Sequence, residues 1–304
     1  MVARRGRAVS ERPSRPPWSE FKSALDAAGF RPSRQLGQNF LLDENVARAI
    51  VVDAGVAPGD QVLEVGPGLG FLSVHLAHIG VKLNCIEVDS RLASIATEFL
   101  RPYPDAQVIL GDALEGKHAL GPELLALIPA AGDWHLVANL PYSISGPVLA
   151  LIANHPNPPR SLSVLVQKEV AERLCASGGS AQFGPLSVAV QLAFQMRAGR
   201  GVSPGAFSPR PKVESRLVHG ELRSPLLPQQ ARVEIRDLAA TLLQRRRQVL
   251  RRVLADHVGD RETACTHLKQ AGLDPGMRVG AVTLEGWETL ARELNPVQEA
   301  PEPP

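Results

Sequence analysis

The sequence predicts an α/β protein in which a mostly parallel central sheet is followed by a small, all-helical C-terminal domain. The first observation is a regular alternation between short apolar runs and stretches with helical spacing, which is typical of βαβ units. The second is a glycine-rich turn at residues 66–70 between one apolar run and one helical stretch. The third is a change near Ser224, after which strand patterns are replaced by helix-forming residues.

The alternating segments follow one another through the first two thirds of the chain. A helix is predicted at residues 44–54, because apolar side chains recur at helical spacing there and Asp43 is a suitable N-cap. Short apolar runs bounded by turns indicate buried strands. Strands are predicted at residues 62–65, 81–88, 108–110, 135–138 and 161–166, with helices at residues 71–79, 91–100 and 147–153. A second pair of helices and an extended segment at residues 213–222 complete this part of the chain.

Changes in composition divide the chain into four regions. Residues 1–30 are rich in arginine and interrupted by proline, so we expect a basic, disordered arm. Residues 31–223 form the α/β domain and residues 224–295 the helical domain, with prolines marking the boundary. Residues 296–304 are rich in proline and glutamate and are expected to be disordered.

Composition excludes several classes of function. The net charge is only +2, so any surface for nucleic acid must come from an uneven distribution of charge. The three cysteines are far apart and have no histidine at ligand spacing, so neither disulfides nor a metal site are predicted. No apolar run is long enough for a membrane span or a secretory signal, which favours a soluble, cytoplasmic protein that does not act at a membrane.

The glycine turn predicts a ligand site at the edge of the sheet. Its spacing from Gly66 is G-x-G-x-G, and the sixth position is Phe71, which does not fit the dinucleotide fingerprint. Such a turn brings backbone N–H groups close to a ligand and suits a nucleoside without a pyrophosphate. A plain tight turn is the alternative interpretation of this stretch alone.

Two acidic residues at the ends of the next strands favour the ligand interpretation. Glu87 ends the second strand about twenty residues after the turn, where a carboxylate can accept hydrogen bonds from both ribose hydroxyls. Asp112 follows the third strand and is placed to receive an adenine amine. Either acid alone is usually a solvent-exposed cap. A glycine turn, an acid for the ribose and an acid for the adenine follow three successive strands in this order, and together they indicate a nucleoside site.

The run Asn139-Leu140-Pro141-Tyr142 follows the fourth strand and is the most specific signal in the sequence. The exocyclic amine of adenine is a poor nucleophile because its lone pair is delocalised into the ring. The Asn139 side-chain oxygen and the Leu140 carbonyl can accept hydrogen bonds from that amine and aim its lone pair at a methyl donor. Pro141 stiffens the turn, and Tyr142 offers a face on which a flipped base can stack. The alternative is an N-cap asparagine before a proline turn with a core tyrosine.

From Gln38 to about Arg252, the chain resembles the ribosomal RNA adenine dimethyltransferases, most closely the kasugamycin-sensitivity type that modifies small-subunit RNA. The matching stretches, in order, are residues 37–41, 64–70, 86–89, 111–113, 139–145, 167–170, 184–188 and 207–215. The resemblance implies the Rossmann-like class I methyltransferase fold and S-adenosyl-L-methionine as cofactor. It also implies dimethylation of adjacent adenosines in 16S ribosomal RNA within an immature small subunit, by a monomer that uses no metal.

The resemblance also implies roles for particular residues. Cofactor contacts are implied at Asn39, Leu41, Gly66, Glu87, Asp112 and Asn139. Phe207 is implied as a second aromatic wall for the target base, beside Asn139, Leu140, Pro141 and Tyr142. Ser143 stands where the family often has asparagine, and Phe183 where it commonly has tyrosine, so substrate positioning could differ in detail.

Basic residues suggest where RNA would bind. Arg245, Arg246 and Arg247 are predicted to open a helix of the small domain that also carries Arg251 and Arg252. Five arginines on one helix cannot all face a core, so phosphate contacts are as plausible as a merely solvated face. Lys168 and Lys212 are predicted to serve the same purpose near the active face.

Three other functions are alternatives to this one. The first is a large-subunit RNA adenine methyltransferase of the antibiotic-resistance type, which residues 207–215 and the arginine helix disfavour. The second is a ribosome assembly or transcription factor that keeps the fold without catalysis, although a pure binding protein needs no amine acceptor. The third, a DNA adenine methyltransferase, would be expected to carry a larger sequence-reading domain than the residues after Ser224 provide.

Overall fold

The computed structural model describes residues 14–30, 38–116 and 118–295. The centre of the molecule is a seven-stranded sheet with the strand order β4-β3-β2-β7-β8-β11-β9. Its strands are β2 (Gln61–Val65), β3 (Lys82–Glu87), β4 (Ala106–Leu110), β7 (His135–Asn139), β8 (Ser161–Gln167), β9 (Phe194–Val202) and β11 (Ser215–Leu222). Two short antiparallel pairs lie outside it: β1 (Phe40–Leu41) with β10 (Phe207–Ser208), and β5 (Leu114–Glu115) with β6 (Ala119–Leu120).

Helices alternate with the strands as the sequence predicts. Before residue 224 they are α1 (Trp18–Ala27), α2 (Glu44–Ala54), α3 (Phe71–Ile79), α4 (Ser90–Leu100), α5 (Pro122–Leu127), α6 (Ser145–Ala153), α7 (Lys168–Leu174) and α8 (Pro185–Gln191). After it they are α9 (Gln229–Leu243), α10 (Leu250–Val258), α11 (Arg261–Gln270) and α12 (Leu284–Leu294). Asp43 caps α2 as predicted, accepting hydrogen bonds from the backbone N–H groups of Asn45 and Val46.

The first five strands of the sheet are parallel, and the last two are antiparallel to their neighbours. The sequence pattern does not predict β9, because this edge strand is mostly exposed and contains Gly199 and Gly201, so it has no strong apolar pattern. Gly199 is required by a close approach: a Cβ there would lie 2.9 Å from the Nε2 atom of His219 on β11.

The N-terminal arm differs from its prediction. Disorder was expected over residues 1–30, but residues 18–27 form α1, and the side chain of Phe21 is completely buried. Phe21 stacks on Phe99 with ring centroids 3.9 Å apart and meets Phe71 edge to face, so aromatic burial holds the helix on α3 and α4. Residues 1–13, with most of the N-terminal arginines, and the tail at 296–304 lie outside the described residues.

The four C-terminal helices enclose a core of their own that reaches across the predicted boundary. Trp287 and Leu250 are buried in the same cluster as Phe183 and Val188, which precede residue 224. Buried Arg232 on α9 donates to the carbonyl oxygens of Leu227 and His155, both at 2.6 Å. The helical unit is therefore packed firmly against the sheet-bearing unit. No helix in the described part of the chain is long and apolar enough to cross a bilayer.

Candidate active site

One pocket lies where the parallel strands β2, β3, β4 and β7 end at the same edge of the sheet, which is the usual ligand position in such folds. The residues that line it come from five separate stretches of the chain. They are residues 38–41, Glu64, residues 66–69, Phe71, Leu72, Glu87, Val88, Leu92, Asp112 and residues 139–144. The fold therefore brings together every predicted cofactor contact and the whole run from Asn139 to Tyr142.

The glycine turn has the backbone that only glycine adopts without strain. Gly66, Gly68 and Gly70 have φ angles of +70°, +58° and +84°. A Cβ on Gly66 would lie 2.7 Å from the Cγ atom of Pro141, so this turn and the run after β7 are in direct contact. The glycine turn and the run from Asn139 to Tyr142 therefore form one wall of the pocket.

Glu87 is buried, and its carboxylate is held by the backbone. Its Oε2 atom accepts from the N–H of Gly68 at 3.0 Å, and its Oε1 atom accepts from the N–H of Asp89 at 3.0 Å. Burial raises the pKa of Glu87, and these backbone hydrogen bonds oppose the shift. Each carboxylate oxygen has a further lone pair with which it can accept a ribose hydroxyl.

Glu64 is a pocket residue whose role the sequence alone does not predict. It is buried on β2, where its Oε2 atom accepts from Ser73 Oγ at 2.6 Å and lies 3.7 Å from Cys85 Sγ. Burial raises its pKa from 4.5 to about 7 despite these hydrogen bonds. The only signal in the sequence was its position two residues before Gly66, within a stretch that also matches the family.

The raised pKa of Glu64 predicts a pH-dependent stability. The folded protein holds this proton up to about pH 7, whereas the unfolded chain releases it near pH 4.5. The contribution of Glu64 to the free energy of unfolding is therefore complete below about pH 4.5 and is lost as the pH rises to about 7. In urea unfolding of the cofactor-free protein, wild type should lose up to about 3 kcal/mol relative to Glu64→Gln between pH 4 and pH 8. If the free energies of unfolding of wild type and Glu64→Gln change with pH in parallel, the pKa of Glu64 is not raised in the folded protein.

Asn139 lines the pocket with an amide whose two ends have different surroundings. Its Nδ2 atom donates to the backbone carbonyl of Asn39 at 3.3 Å, which sets the orientation of the amide. Its Oδ1 atom is buried and has no hydrogen-bond partner among the described residues. Because buried acceptors without partners are rare and costly, this oxygen is suited to receive a donor from a ligand.

Tyr142 lines the pocket and lies on a tight turn. The backbone N–H groups of Ile144 and Ser145 both donate to the carbonyl of Pro141 at 3.1 Å. The Tyr142 hydroxyl is hydrogen-bonded to Ser215 Oγ, and burial raises the pKa of the phenol. The ring is half-buried and offers an aromatic surface beside Asn139.

Phe207 is not part of the pocket wall. It pairs with Leu41 between β10 and β1 and is only 3% exposed, within the core beneath those strands. Its predicted role as a second aromatic wall stays a prediction.

Phe183 lies completely buried in the core shared with the C-terminal helices, so this departure from the family pattern affects core packing. Ser143, the other departure, lines the pocket.

The basic residues have different surroundings from those predicted. Arg245, Arg246 and Arg247 lie in the turn between α9 and α10, so they do not share one helix with Arg251 and Arg252. The physical reason is that Val249 leaves the helical path to bridge with Arg278, and the Leu250 N–H donates to the Met277 carbonyl.

Three of these predicted RNA contacts already have protein partners. Arg246 donates to the carbonyls of Ser180 and Ala181 at 3.0 and 2.9 Å, which fixes the turn to the sheet-bearing unit. Arg245 pairs with Asp256, and Lys168 lies 2.8 Å from Glu214 in an exposed pair. The side chains of Arg247 and Lys212 are exposed. Within residues 14–30, 38–116 and 118–295, no group of His, Cys, Asp or Glu side chains is arranged to hold a metal ion.

The fold and the site together define a class I S-adenosylmethionine-dependent methyltransferase. The glycine turn, the buried Glu87 and the free Asn139 acceptor fit a nucleoside with a methyl donor beside it. The profile of the ribosomal RNA adenine dimethylase family matches residues 29–296. The chain belongs to that family, and S-adenosylmethionine is its cofactor.

Curated relatives and solved structures agree with this assignment. A protein named ribosomal RNA small subunit methyltransferase A from Deinococcus radiodurans is 38% identical over 281 residues, covering 92% of this chain and 91% of its own length. Its namesake from Phenylobacterium zucineum is 35% identical and covers 92% and 94%. A dimethyladenosine transferase from Plasmodium falciparum has a TM-score of 0.67 at 21% identity, covering 83% and 95%, and therefore supports the fold alone. The 23S rRNA methyltransferase ErmE has a TM-score of 0.63 at 25% identity, covering 84% and 99%.

Proposed function

We propose that this protein dimethylates the exocyclic amine of adjacent adenosines in small-subunit ribosomal RNA, with Asn139 as the acceptor for the amine. The observation that carries the proposal is the buried Asn139 Oδ1 atom, which has no partner in the part of the chain that the structure describes; Asn139 ends β7 and lines the pocket. The Nδ2 atom of the same amide donates to the backbone carbonyl of Asn39, which sets which end of the amide is the acceptor. An acceptor of this kind suits a ligand that brings a hydrogen-bond donor, and the exocyclic amine of adenine is such a donor.

The chain's own residues position the amine for reaction. S-adenosylmethionine supplies an electrophilic methyl group when it is bound. The Asn139 oxygen and the Leu140 carbonyl accept the two amine hydrogens, which favours a tetrahedral nitrogen whose lone pair is directed into the pocket. Pro141 fixes the turn against Gly66, and Tyr142 provides the stacking face for a base removed from its neighbours. Asn39, Leu41, Gly66, Glu87 and Asp112 are the residues proposed to hold the cofactor.

Small-subunit RNA is favoured over large-subunit RNA as the substrate by sequence similarity. The relatives named for the small subunit are 35% and 38% identical, whereas the structure named as a 23S rRNA methyltransferase is 25% identical. The shared fold does not separate the two, since both kinds of enzyme have it. We propose further that the substrate is an immature small subunit and that the protein acts as a monomer without a metal.

The turn between α9 and α10 is proposed as part of the RNA surface, with Arg247 as its exposed phosphate contact and Arg251 and Arg252 beside it on α10. We expect Arg247→Ala to weaken RNA binding and to lower the slope of log affinity against log salt by about 0.7 for one lost contact. Arg246→Ala should chiefly lower the stability of the protein, because Arg246 is bound to the Ser180 and Ala181 carbonyls. Salt titrations of RNA binding and urea unfolding separate the two effects. An unchanged slope for Arg247→Ala would make this arginine a merely solvated residue.

Methyl transfer to isolated ribosomal particles tests the proposed function. Labelled S-adenosylmethionine is incubated with the protein and with immature small subunits or large subunits from cells that lack the modification. Label is expected in dimethyladenosine of the small subunit only. Label in the large subunit would support the antibiotic-resistance type of enzyme instead. Binding to small subunits without any transfer would support the assembly-factor alternative.

A further inference from the structure

We propose that Ser215 is a positioning residue for methyl transfer, because its hydroxyl fixes the ring of Tyr142 in the orientation that receives the target base. The inference rests on the proposed function, in which Tyr142 is the stacking face. Ser215 lies 73 positions further along the chain, and its Oγ atom is hydrogen-bonded to the Tyr142 hydroxyl. Its side chain is buried, with 1% of the residue exposed.

Stacking of a base does not explain why residue 142 is a tyrosine, with a hydroxyl group, and not a phenylalanine. A base stacks on the face of an aromatic ring, and phenylalanine provides the same face as tyrosine. What tyrosine adds is a polar group that must find a partner when it is partly buried. In the described part of the chain, the partner of the Tyr142 hydroxyl is Ser215. The hydroxyl therefore serves to anchor the far end of the ring.

Ser215 is a rigid anchor because of its place in the sheet. It is the first residue of β11 and is paired with Gln167 of β8 on one side and Val202 of β9 on the other. The near end of Tyr142 is fixed as well, since its carbonyl accepts from Ser145 Oγ at 3.4 Å within the turn that follows β7. A ring held at both ends keeps its long axis in place when a base arrives, which lowers the cost of aligning the amine with Asn139.

Nuclear magnetic resonance tests the contact without any activity measurement. The chain has only two tyrosines, Tyr103 and Tyr142, so ring-labelled tyrosine gives two sets of signals that Tyr103→Phe assigns. Ser215→Ala should shift the Tyr142 ring signals and leave those of Tyr103 in place. The matched control is Ser163→Ala, which removes another buried serine of the same sheet, hydrogen-bonded at 2.9 Å to Nδ1 of His219. Tyr142 signals that respond equally to both variants would overturn the proposal.

Steady-state kinetics on ribosomal RNA tests the consequence. Ser215→Ala and Tyr142→Phe should each lower kcat by about three- to tenfold, the effect of one lost hydrogen bond. The KM for RNA should change by less than about twofold, because phosphate contacts elsewhere dominate RNA affinity. The double variant should be no slower than either single variant, since both remove the same bond. Ser163→Ala should keep the wild-type kcat.

The outcomes separate this proposal from the function on which it rests. An active wild type with losses that multiply in the double variant, or with a Ser215→Ala rate equal to wild type, would overturn the role of Ser215 alone. A wild type that methylates no ribosomal RNA would overturn the proposed function and this inference together.

Discussion

Replacing Asn139 with alanine should lower the rate of methyl transfer by about a hundredfold or more at saturating cofactor. The side-chain oxygen that this change removes is buried and has no partner among the described residues, and we propose that it accepts the amine. An acceptor that strengthens its bond as the nitrogen becomes tetrahedral acts mainly on the transition state, and its loss therefore appears in kcat. The measurement is transfer of labelled methyl groups to immature small subunits.

Two further variants show whether the loss is chemical. Asn139→Asp keeps an oxygen at this position and should retain more activity than Asn139→Ala. Asn84→Ala, which removes an amide paired with Gln107 outside the pocket, should leave the rate unchanged. Binding to small subunits should survive in all three variants, because none carries the bulk of the RNA surface. A wild-type rate in Asn139→Ala would remove the basis for the catalytic assignment.

Replacing Glu87 with alanine should weaken S-adenosylmethionine binding by about 2–5 kcal/mol, the cost of losing charge-assisted hydrogen bonds to two ribose hydroxyls. The loss includes a second effect in this structure, because Glu87 also holds the N–H groups of Gly68 and Asp89. The glycine turn would lose its fixed partner at the same time. Titration calorimetry with the isolated protein and the cofactor measures the change directly.

The control for Glu87 is an acid that lies near the pocket without lining it. Glu115→Ala removes an exposed carboxylate on β5 and should leave cofactor affinity unchanged. Asp112→Ala should have a smaller effect than Glu87→Ala, because Asp112 is exposed and already accepts from the Leu114 N–H at 3.0 Å. Equal affinities for wild type and Glu87→Ala would show that the ribose assignment is wrong.

The parallel part of the sheet could be predicted because its signals are local. Apolar runs bounded by turns mark β2, β3 and β7, and Asp43 marks the start of α2 within a few residues in sequence. Other features depend on partners far along the chain. The edge strand β9 is formed by pairing with β11, and α1 is formed by burial of Phe21 against Phe71 and Phe99. The amphipathic pattern of α1 was obscured by the arginines and prolines before it.

In the candidate site too, some residues could be predicted from local sequence signals and others depend on partners far along the chain. Glu87, Asp112 and Asn139 were predicted because strand ends of a parallel sheet meet at one edge, and the structure places them in one pocket. The roles of Glu64 and Ser215 depend on Ser73, Cys85 and Tyr142, contacts that no spacing in the sequence reveals. Arg246 was expected to face RNA, but its partners are two backbone carbonyls, and backbone positions cannot be inferred from residue types.

The most direct test of the account is to map dimethyladenosine in ribosomal RNA from cells with and without this protein. We expect two adjacent dimethylated adenosines in the small-subunit RNA of the parent cells and unmodified adenosines at those positions when the protein is absent. Wild-type protein should restore both modifications, and Asn139→Ala should restore neither. An unchanged small-subunit modification pattern in cells without the protein would contradict the account, as would a loss confined to the large-subunit RNA.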